Sequence, residues 1–233
     1  MSDHQRLDYE LNPHGDKPRT LKGTHGTDIS SSRLGDLDRS AIRFVLDSTG
    51  PVSGVDVGCG LGFPSIAMAL TGADMTLVDV ADLSQRFSDL SMLLPSERIT
   101  FLQKDIRLLS QRDFPTLLNF LYSQRTIHYL PYVEALQFLR TMYSCLVPGG
   151  RVFISASGMK TELSVGYEGA ALPVTDRFFK LTPDMAKKHE IHEPICMYYP
   201  EEFETLLHEA GFTTVELITS GKFGNVKGIF SKP

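Results

Sequence analysis

Short apolar segments alternate with amphipathic segments through the middle of this 233-residue chain. Continuous apolar runs are typical of buried strands, whereas apolar residues that recur every three or four positions are typical of helices. The predicted strands span about 52–57, 75–80, 99–103, 116–122 and 151–155. The predicted helices between them span about 64–70, 83–94 and 130–146. Strands and helices in strict turn predict a parallel sheet with right-handed crossovers.

The pattern changes at the start of the chain and again after the fifth predicted strand. Residues 1–35 are polar and contain several prolines and glycines, which predicts an irregular N-terminal arm, either a solvated tail or a lid. Residues 36–233 form one predicted domain. Within it, residues 159–199 are rich in glycine, proline and aromatic residues and predict an irregular substrate-lid insertion. Two late segments, about 213–219 and 226–230, are expected to pair as a closing hairpin.

A glycine-rich turn follows the first strand of the predicted sheet, in the sequence VDVGCGLG at residues 55–62. Glycine at 58 and 60 permits unusual φ angles and lets a ligand approach the backbone closely. The helix that follows would offer free N–H groups to an electron-rich ligand. Phe63 stands where the dinucleotide fingerprint requires its third glycine, and no Gly-Lys-Ser/Thr of a P-loop follows. The alternative is a purely structural strand–turn–helix.

Acidic residues close the next two predicted strands. Asp79 ends the second strand, where a carboxylate can accept hydrogen bonds from both hydroxyls of a ribose. Asp105 ends the third strand, where its carboxylate can accept from an adenine amino group while the Ile106 N–H donates to a ring nitrogen. Asp56, just before the glycine turn, would repel phosphates and suits a cationic, amino-acid-like ligand. Ligands of open parallel sheets bind at such strand ends, which predicts one shared site.

Two motifs carry a resemblance to a known family. Asp-x-Gly-x-Gly-x-Gly at 56–62 resembles motif I of the class I S-adenosylmethionine-dependent methyltransferases, and Leu-x-Pro-Gly-Gly at 146–150 resembles the turn before their fifth strand. The resemblance covers about 37–158 and 200–232. It implies a Rossmann-like, doubly wound α/β fold, with a seven-stranded sheet in which only the last-inserted strand is antiparallel and helices lie on both faces. It also implies that S-adenosylmethionine is bound by Asp56, Gly58, Cys59, Gly60, Gly62, Asp79, Val80, Asp105, Ile106 and Gln124.

The segment after the fourth strand bears on the acceptor. Thr-Ile-His-Tyr-Leu-Pro at 126–131 resembles the small-molecule branch of these methyltransferases, and the Asn/Asp-Pro-Pro-aromatic signature of nucleobase amino methylation is lacking. The start of the fourth strand departs from the family pattern, since Asp113 precedes Phe114 and Pro115 follows it.

His128 is the candidate general base, since it lies just past the fourth strand and a base is required when the acceptor must lose a proton. The alternative is a structural role at the start of a helix. Tyr129, Tyr198 and Tyr199 are candidates for the substrate pocket, with core packing or anchoring of the insertion as the alternatives.

The segment that contains His189 and His192 is a candidate metal site. His189 and His192 lie three positions apart, with Pro194 soon after, whereas the metalloprotease helix spaces its histidines by four. We expect a charged, solvated segment of the lid and no metal.

Charge and composition limit the partners. The net charge is −5 and the isoelectric point is about 5.8, so there is no broad basic surface for nucleic acid. Cys59, Cys145 and Cys196 are widely spaced, and no long apolar span or signal core is seen. We therefore expect a cytoplasmic enzyme with a small-molecule acceptor and no membrane or nucleic-acid partner.

The preferred hypothesis is methyl transfer from S-adenosylmethionine to a small molecule. Two alternatives keep the cofactor: a methyltransferase of protein or RNA, and a non-catalytic regulator or sensor that binds S-adenosylmethionine. A nicotinamide oxidoreductase is disfavoured by Phe63. Turnover, measured as release of S-adenosylhomocysteine, separates an enzyme from a binding protein.

Overall fold

The computed structural model describes residues 19–20, 27–28, 34–91, 98–219 and 225–233. The predicted arm, residues 1–35, therefore lies almost wholly outside the described residues, apart from Leu34, Gly35 and a two-residue antiparallel ladder between Arg19–Thr20 and Thr27–Asp28. The helices are α1 Asp36–Asp47, α2 Phe63–Leu70, α3 Ser84–Ser91, α4 Tyr132–Cys145, α5 Pro183–His189 and α6 Pro200–Glu209. The main-sheet strands are β1 Val52–Val57, β2 Ala73–Asp79, β3 Ile99–Gln103, β4 Leu118–Gln124, β5 Leu146–Ala156, β6 Thr213–Thr219 and β7 Val226–Ser231. None of the helices described is both long and apolar enough to cross a membrane.

The main sheet has seven strands in the order β3-β2-β1-β4-β5-β7-β6. The pairs from β3 to β5 are parallel, and β7 pairs antiparallel with both β5 and β6. The predicted Rossmann-like fold, with one antiparallel strand in a C-terminal hairpin, is thus confirmed. The chain moves outward from β1 to β3 and then returns to β4 on the other side of β1. The strand order therefore reverses between β1 and β4, the position at which open parallel sheets bind ligands.

Element bounds differ from the predicted ones mainly at the fourth and fifth strands. β4 begins at Leu118 rather than Thr116, because Thr116 and Leu117 are exposed. It continues to Gln124, which pairs with Ser155 of β5. β5 is longer than predicted at both ends, while the predicted end of α3, near 94, lies outside the described residues.

Helices cover both faces of the sheet, and each face has its own apolar cluster. On one face α1, α2 and α3 pack through residues such as Leu37, Met68 and Phe87. On the other face α4 and α6 pack through residues such as Phe138 and Phe203. Burial of these side chains is the main favourable contribution to folding.

The cap, defined here as residues 159–199, has an apolar cluster separate from those of the sheet. It consists of α5 and three short 3-10 helices, Glu162–Ser164, Glu168–Ala171 and Val174–Asp176. Its cluster is formed by Met159, Leu163, Tyr167, Leu181, Ile191, Ile195 and Met197. Two backbone hydrogen bonds attach the cap near the ends of β4 and β5, from Cys196 N to His128 O (2.7 Å) and from Tyr198 N to Ser157 O (3.1 Å). The assignment of this segment as a substrate lid stays a prediction.

Arg177 clamps the cap to α6. Its side chain is 3% exposed and makes two hydrogen bonds to the Glu202 carboxylate, at 2.6 and 3.0 Å. It also donates to the carbonyl oxygens of Gly169 and Leu172, in and just after one 3-10 helix of the cap, and to that of Met197 near the end of the cap. A buried guanidinium is tolerated because its donors are matched by acceptors.

Replacing Arg177 with methionine should destabilise the protein by about 3 kcal/mol, because the Glu202 carboxylate and three carbonyl groups lose their donor. Urea denaturation measures this change. The matched control is Arg43→Met in the pair with Asp47, whose side chains are 82% and 67% exposed; it should cost less than about 0.5 kcal/mol. Equal, small losses in the two variants would show that Arg177 does not clamp the cap.

Candidate active site

The glycine turn after β1 uses left-handed backbone at alternate positions. The φ angles are 71° at Gly58, 51° at Gly60 and 72° at Gly62. Residues other than glycine rarely adopt this conformation. The turn is tied to β2 by hydrogen bonds from Gly58 N and Cys59 N to Val78 O, at 2.8 and 3.1 Å.

Most N–H groups of this turn are used within the protein. Besides Gly58 and Cys59, Gly60 N donates to Asp79 Oδ2 (2.9 Å) and Gly62 N donates to Cys59 O (2.9 Å). The turn therefore offers a ligand a close backbone surface without side chains, rather than a row of N–H groups.

Thr126, in the turn after β4, packs directly onto Gly58. A Cβ atom added at Gly58 would lie 2.0 Å from Thr126 Oγ1. A Cβ at Gly62 would lie 2.7 Å from the Phe87 ring on α3. The two glycines are thus required by neighbours as well as by backbone conformation, and the ends of β1 and β4 are in contact at the point where the strand order reverses.

The Asp79 carboxylate is fixed in place at the end of β2. Oδ2 accepts from Gly60 N and Oδ1 accepts from Ala81 N, both at 2.9 Å. Asp79 is only partly buried, and each carboxylate oxygen can accept a further hydrogen bond. The neighbouring Val80 side chain is 57% exposed. A fixed acceptor pair beside an exposed apolar side chain suits a sugar attached to a planar ring.

Asp105 lies at the adjacent end of β3, but its carboxylate is engaged with Arg107. Arg107 Nε lies 3.0 Å from each Asp105 oxygen, and Arg107 N donates to Oδ1 at 2.9 Å. The hydrogen bond from the Arg107 side chain is the main cause that lowers the pKa of Asp105. A ligand amino group would have to share this carboxylate with Arg107. Ile106 is partly buried beside it.

Asp56 lies behind the glycine turn rather than on its surface. It is 2% exposed and accepts a hydrogen bond from Ser65 Oγ of α2. In the sheet register Asp56 lies opposite Tyr122 of β4. The Asp56 carboxylate is therefore too buried to contact a ligand directly, and its charge would act on a ligand across the glycine turn.

Gln124, the last residue of β4, belongs to a polar network that the sequence analysis missed. Its amide donates to the Asp38 carboxylate and to the Tyr122 hydroxyl, and Tyr122 also donates to Asp38. Asp38, in the first turn of α1, is 2% exposed. One signal was available in the sequence, since Asp38 directly follows the core residue Leu37 on a helix that packs against the sheet.

The candidate base His128 is buried at the start of the segment that leads to α4. It is 1% exposed, and its ring lies 4.4 Å from that of Tyr129. The same turn contains Arg125, which has a left-handed φ of 53°, and Arg125 N donates to Ser155 O (3.0 Å). Strained backbone of this kind is often found at functional sites. A catalytic role of His128 stays a prediction.

The three candidate pocket tyrosines lie in two different environments. Tyr129 packs against the cap cluster, as does Tyr199, which lies beside the Arg177 guanidinium. Tyr198 is fully buried in the cluster on the α4–α6 face, edge to face with Phe203 at 5.6 Å. This placement favours the alternative in which Tyr198 anchors the segment.

The histidines of the cap contact different carboxylates. His189 Nε2 lies 2.9 Å from Glu162, and His192 Nε2 lies 3.3 Å from Glu190. Within the described ranges, no group of three or more histidine, cysteine, aspartate or glutamate residues is arranged to hold a metal ion.

Known proteins share both the sequence pattern and the fold. A family model described as a methyltransferase domain matches residues 31–217. A ubiquinone biosynthesis O-methyltransferase of Nitrosospira multiformis is 25% identical over 191 residues, which cover 82% of this chain and 72% of that protein.

Solved structures show the same fold. The 1,6-didemethyltoxoflavin-N1-methyltransferase of Burkholderia thailandensis aligns with a TM-score of 0.63 and 18% identity, over 84% of this chain and 78% of its own. The magnesium protoporphyrin IX methyltransferase of Synechocystis aligns with a TM-score of 0.61 and 15% identity, over 84% and 82%.

The fold belongs to the doubly wound α/β class. The match over most of its length shows that the chain belongs to the methyltransferase domain family, as an S-adenosylmethionine-dependent methyltransferase.

Replacing Gly58 with alanine should weaken binding of S-adenosylhomocysteine, because the added methyl group displaces Thr126 and strains the turn. The left-handed φ at alanine should lower the stability by about 1 kcal/mol, and the overlap of its methyl group with Thr126 should lower it by roughly a further 1–3 kcal/mol. Gly149→Ala is the matched control: its φ is 76°, but nothing lies within 4 Å of an added Cβ. Calorimetric titration and urea denaturation measure both effects. Unchanged ligand affinity in Gly58→Ala would mean that the turn is not part of the site.

Proposed function

We propose that this protein transfers the methyl group of S-adenosylmethionine to a small-molecule acceptor at the carboxyl edge of the sheet. The observation that carries the proposal is the fixed Asp79 carboxylate beside a glycine turn without side chains, next to the point where the strand order reverses. This edge of the sheet brings together two carboxylate oxygens that can accept from ribose hydroxyls and a backbone surface that a ligand can approach closely.

In this proposal the cofactor lies along the glycine turn, with its ribose on Asp79. The adenine ring would be held by apolar contact with the exposed Val80 and the partly buried Ile106. Asp105 would contribute its remaining acceptor capacity beside Arg107. The methionyl end would lie over Gly58, close to Thr126 and the end of β4.

The acceptor would bind between this edge and the cap. The cap is attached near the ends of β4 and β5, and its own apolar cluster together with the Arg177 clamp gives it a defined shape. A cap of defined shape at this edge suits a small molecule better than a polymer. The relatives support this proposal, since ubiquinone biosynthesis and 1,6-didemethyltoxoflavin appear in their names. The net charge of −5 does not favour nucleic acid.

Bound S-adenosylmethionine supplies an electrophilic methyl group, which an acceptor lone pair attacks in line with the departing sulfur. The protein then contributes mainly by holding the acceptor in line and excluding water. For a hydroxyl acceptor, His128 is the candidate that takes the proton, since it lies in the turn that contacts the glycine turn through Thr126. We also propose that the reaction takes place in the cytoplasm, in keeping with three free, buried cysteines.

Asp79→Asn should weaken S-adenosylhomocysteine binding by about tenfold or more, because the ribose loses charged hydrogen-bond acceptors. Calorimetric titration measures the change. Asp74→Asn is the control on the same strand, since its side chain is 61% exposed and pairs with Arg98 at the opposite end of β2. Equal affinities of the two variants for S-adenosylhomocysteine would show that Asp79 does not bind the ligand.

Turnover decides between an enzyme and a binding protein. The purified protein would be incubated with S-adenosylmethionine and, separately, with pools of small aromatic hydroxyl compounds, nitrogen heterocycles, protein and RNA. Formation of S-adenosylhomocysteine with a small-molecule pool alone is the expected result. Formation only with protein or RNA would contradict the proposed acceptor class, and binding without turnover in any pool would favour a non-catalytic role.

A further inference from the structure

Two buried carboxylates lie on either side of Tyr122 at the point where the strand order reverses. Asp56 of β1 is opposite Tyr122 in the register, and Asp38 of α1 accepts a hydrogen bond from its hydroxyl. Each carboxylate residue is only 2% exposed. Burial first, and then the charges of Asp38 and Asp56, raise the pKa of Tyr122 well above its usual value. Both negative charges are therefore close to one phenol ring.

Neutral groups stabilise the Asp38 carboxylate without cancelling its charge. Its donors are Gly35 N–H, the Tyr122 hydroxyl and the Gln124 amide, and among the residues that the structure describes all recorded donors to Asp38 are neutral. An ionised carboxylate only accepts hydrogen bonds, which matches three converging donors. The N-terminus of α1 also favours a negative charge in its first turn.

The position of this charge relative to the site follows from the chain. Gln124, which binds Asp38, ends β4, and two residues later Thr126 rests on Gly58. Asp38 is thus linked through Gln124 to the turn that rests on Gly58, and the buried Asp56 lies two residues before Gly58, next to the surface on which the methionyl end of the cofactor is proposed to bind. Charges in such a buried setting act more strongly than in water.

We infer that Asp38, together with Asp56, makes the site prefer the positively charged sulfonium cofactor over the neutral thioether product. The inference rests on the cofactor placement proposed above. S-adenosylmethionine carries one positive charge more than S-adenosylhomocysteine, and methyl transfer removes it. The product therefore loses this attraction, which favours its exchange for fresh cofactor. Asp38 acts through its charge and is not a catalytic residue.

The test is calorimetric titration of the wild-type protein and Asp38→Asn with three ligands. These are S-adenosylmethionine, S-adenosylhomocysteine and sinefungin, which has an ammonium group where the sulfonium methyl would be. In Asp38→Asn the affinity for the two cationic ligands should fall about five- to tenfold more than the affinity for S-adenosylhomocysteine. Asp47→Asn, on the same helix with a side chain 67% exposed, should leave all three affinities unchanged.

Tyr122→Phe separates charge from structure, because it removes one hydrogen bond to Asp38 and leaves the charge. It should alter the three affinities by one common factor. If Asp38→Asn does not fold, the single variant Tyr122→Phe is compared with the double variant Asp38→Asn/Tyr122→Phe. This comparison tests the same charge, and in the double variant no Tyr122 hydroxyl faces the new amide.

Equal losses for charged and neutral ligands on removal of Asp38 would overturn the inference while leaving the proposed function intact. A wild-type protein that binds none of the three ligands would overturn the proposed cofactor placement and the inference with it.

Discussion

The contact between Thr126 and Gly58 is the constraint on which the site depends. It joins the turn after β1 to the turn after β4, and these two strands are where the strand order of the sheet reverses. Only glycine at 58 permits both the left-handed φ of 71° and the approach of the threonine side chain. With this contact in place, Asp79, Asp105 and the buried pair of Asp38 and Asp56 all lie at one edge.

The cap, which we propose as the acceptor side of the site, is held by a different kind of interaction. The cap has its own apolar cluster, and Arg177 fastens it to α6 through Glu202 and three carbonyl groups. A guanidinium buried with matched acceptors has one favourable geometry, because any displacement leaves charge or carbonyl groups unpaired. The proposed cofactor side is thus shaped by backbone conformation, and the proposed acceptor side by a buried ion pair and apolar packing.

Local patterns predicted the sheet and the residues along its edge. The glycine turn and Asp79 are encoded in short segments, because a turn and a strand end depend mainly on neighbouring residues. Asp38 was missed because its partners Tyr122 and Gln124 are 84 and 86 positions away. The use of the turn's N–H groups within the protein was also missed, since it depends on how β2 lies beside β1. The Arg177–Glu202 clamp likewise joins two segments through tertiary packing alone.

Hydrogen–deuterium exchange with and without S-adenosylhomocysteine tests most directly whether the site lies at this edge. We expect slower exchange in peptides that cover 57–63, 79–82, 104–108 and 124–128, because ligand contact stabilises these turns against local opening. Peptides of β6 and α6, on the far side of the sheet, should be unchanged. Protection confined to that far side, or no protection at a saturating ligand concentration, would contradict the placement of the site at this edge.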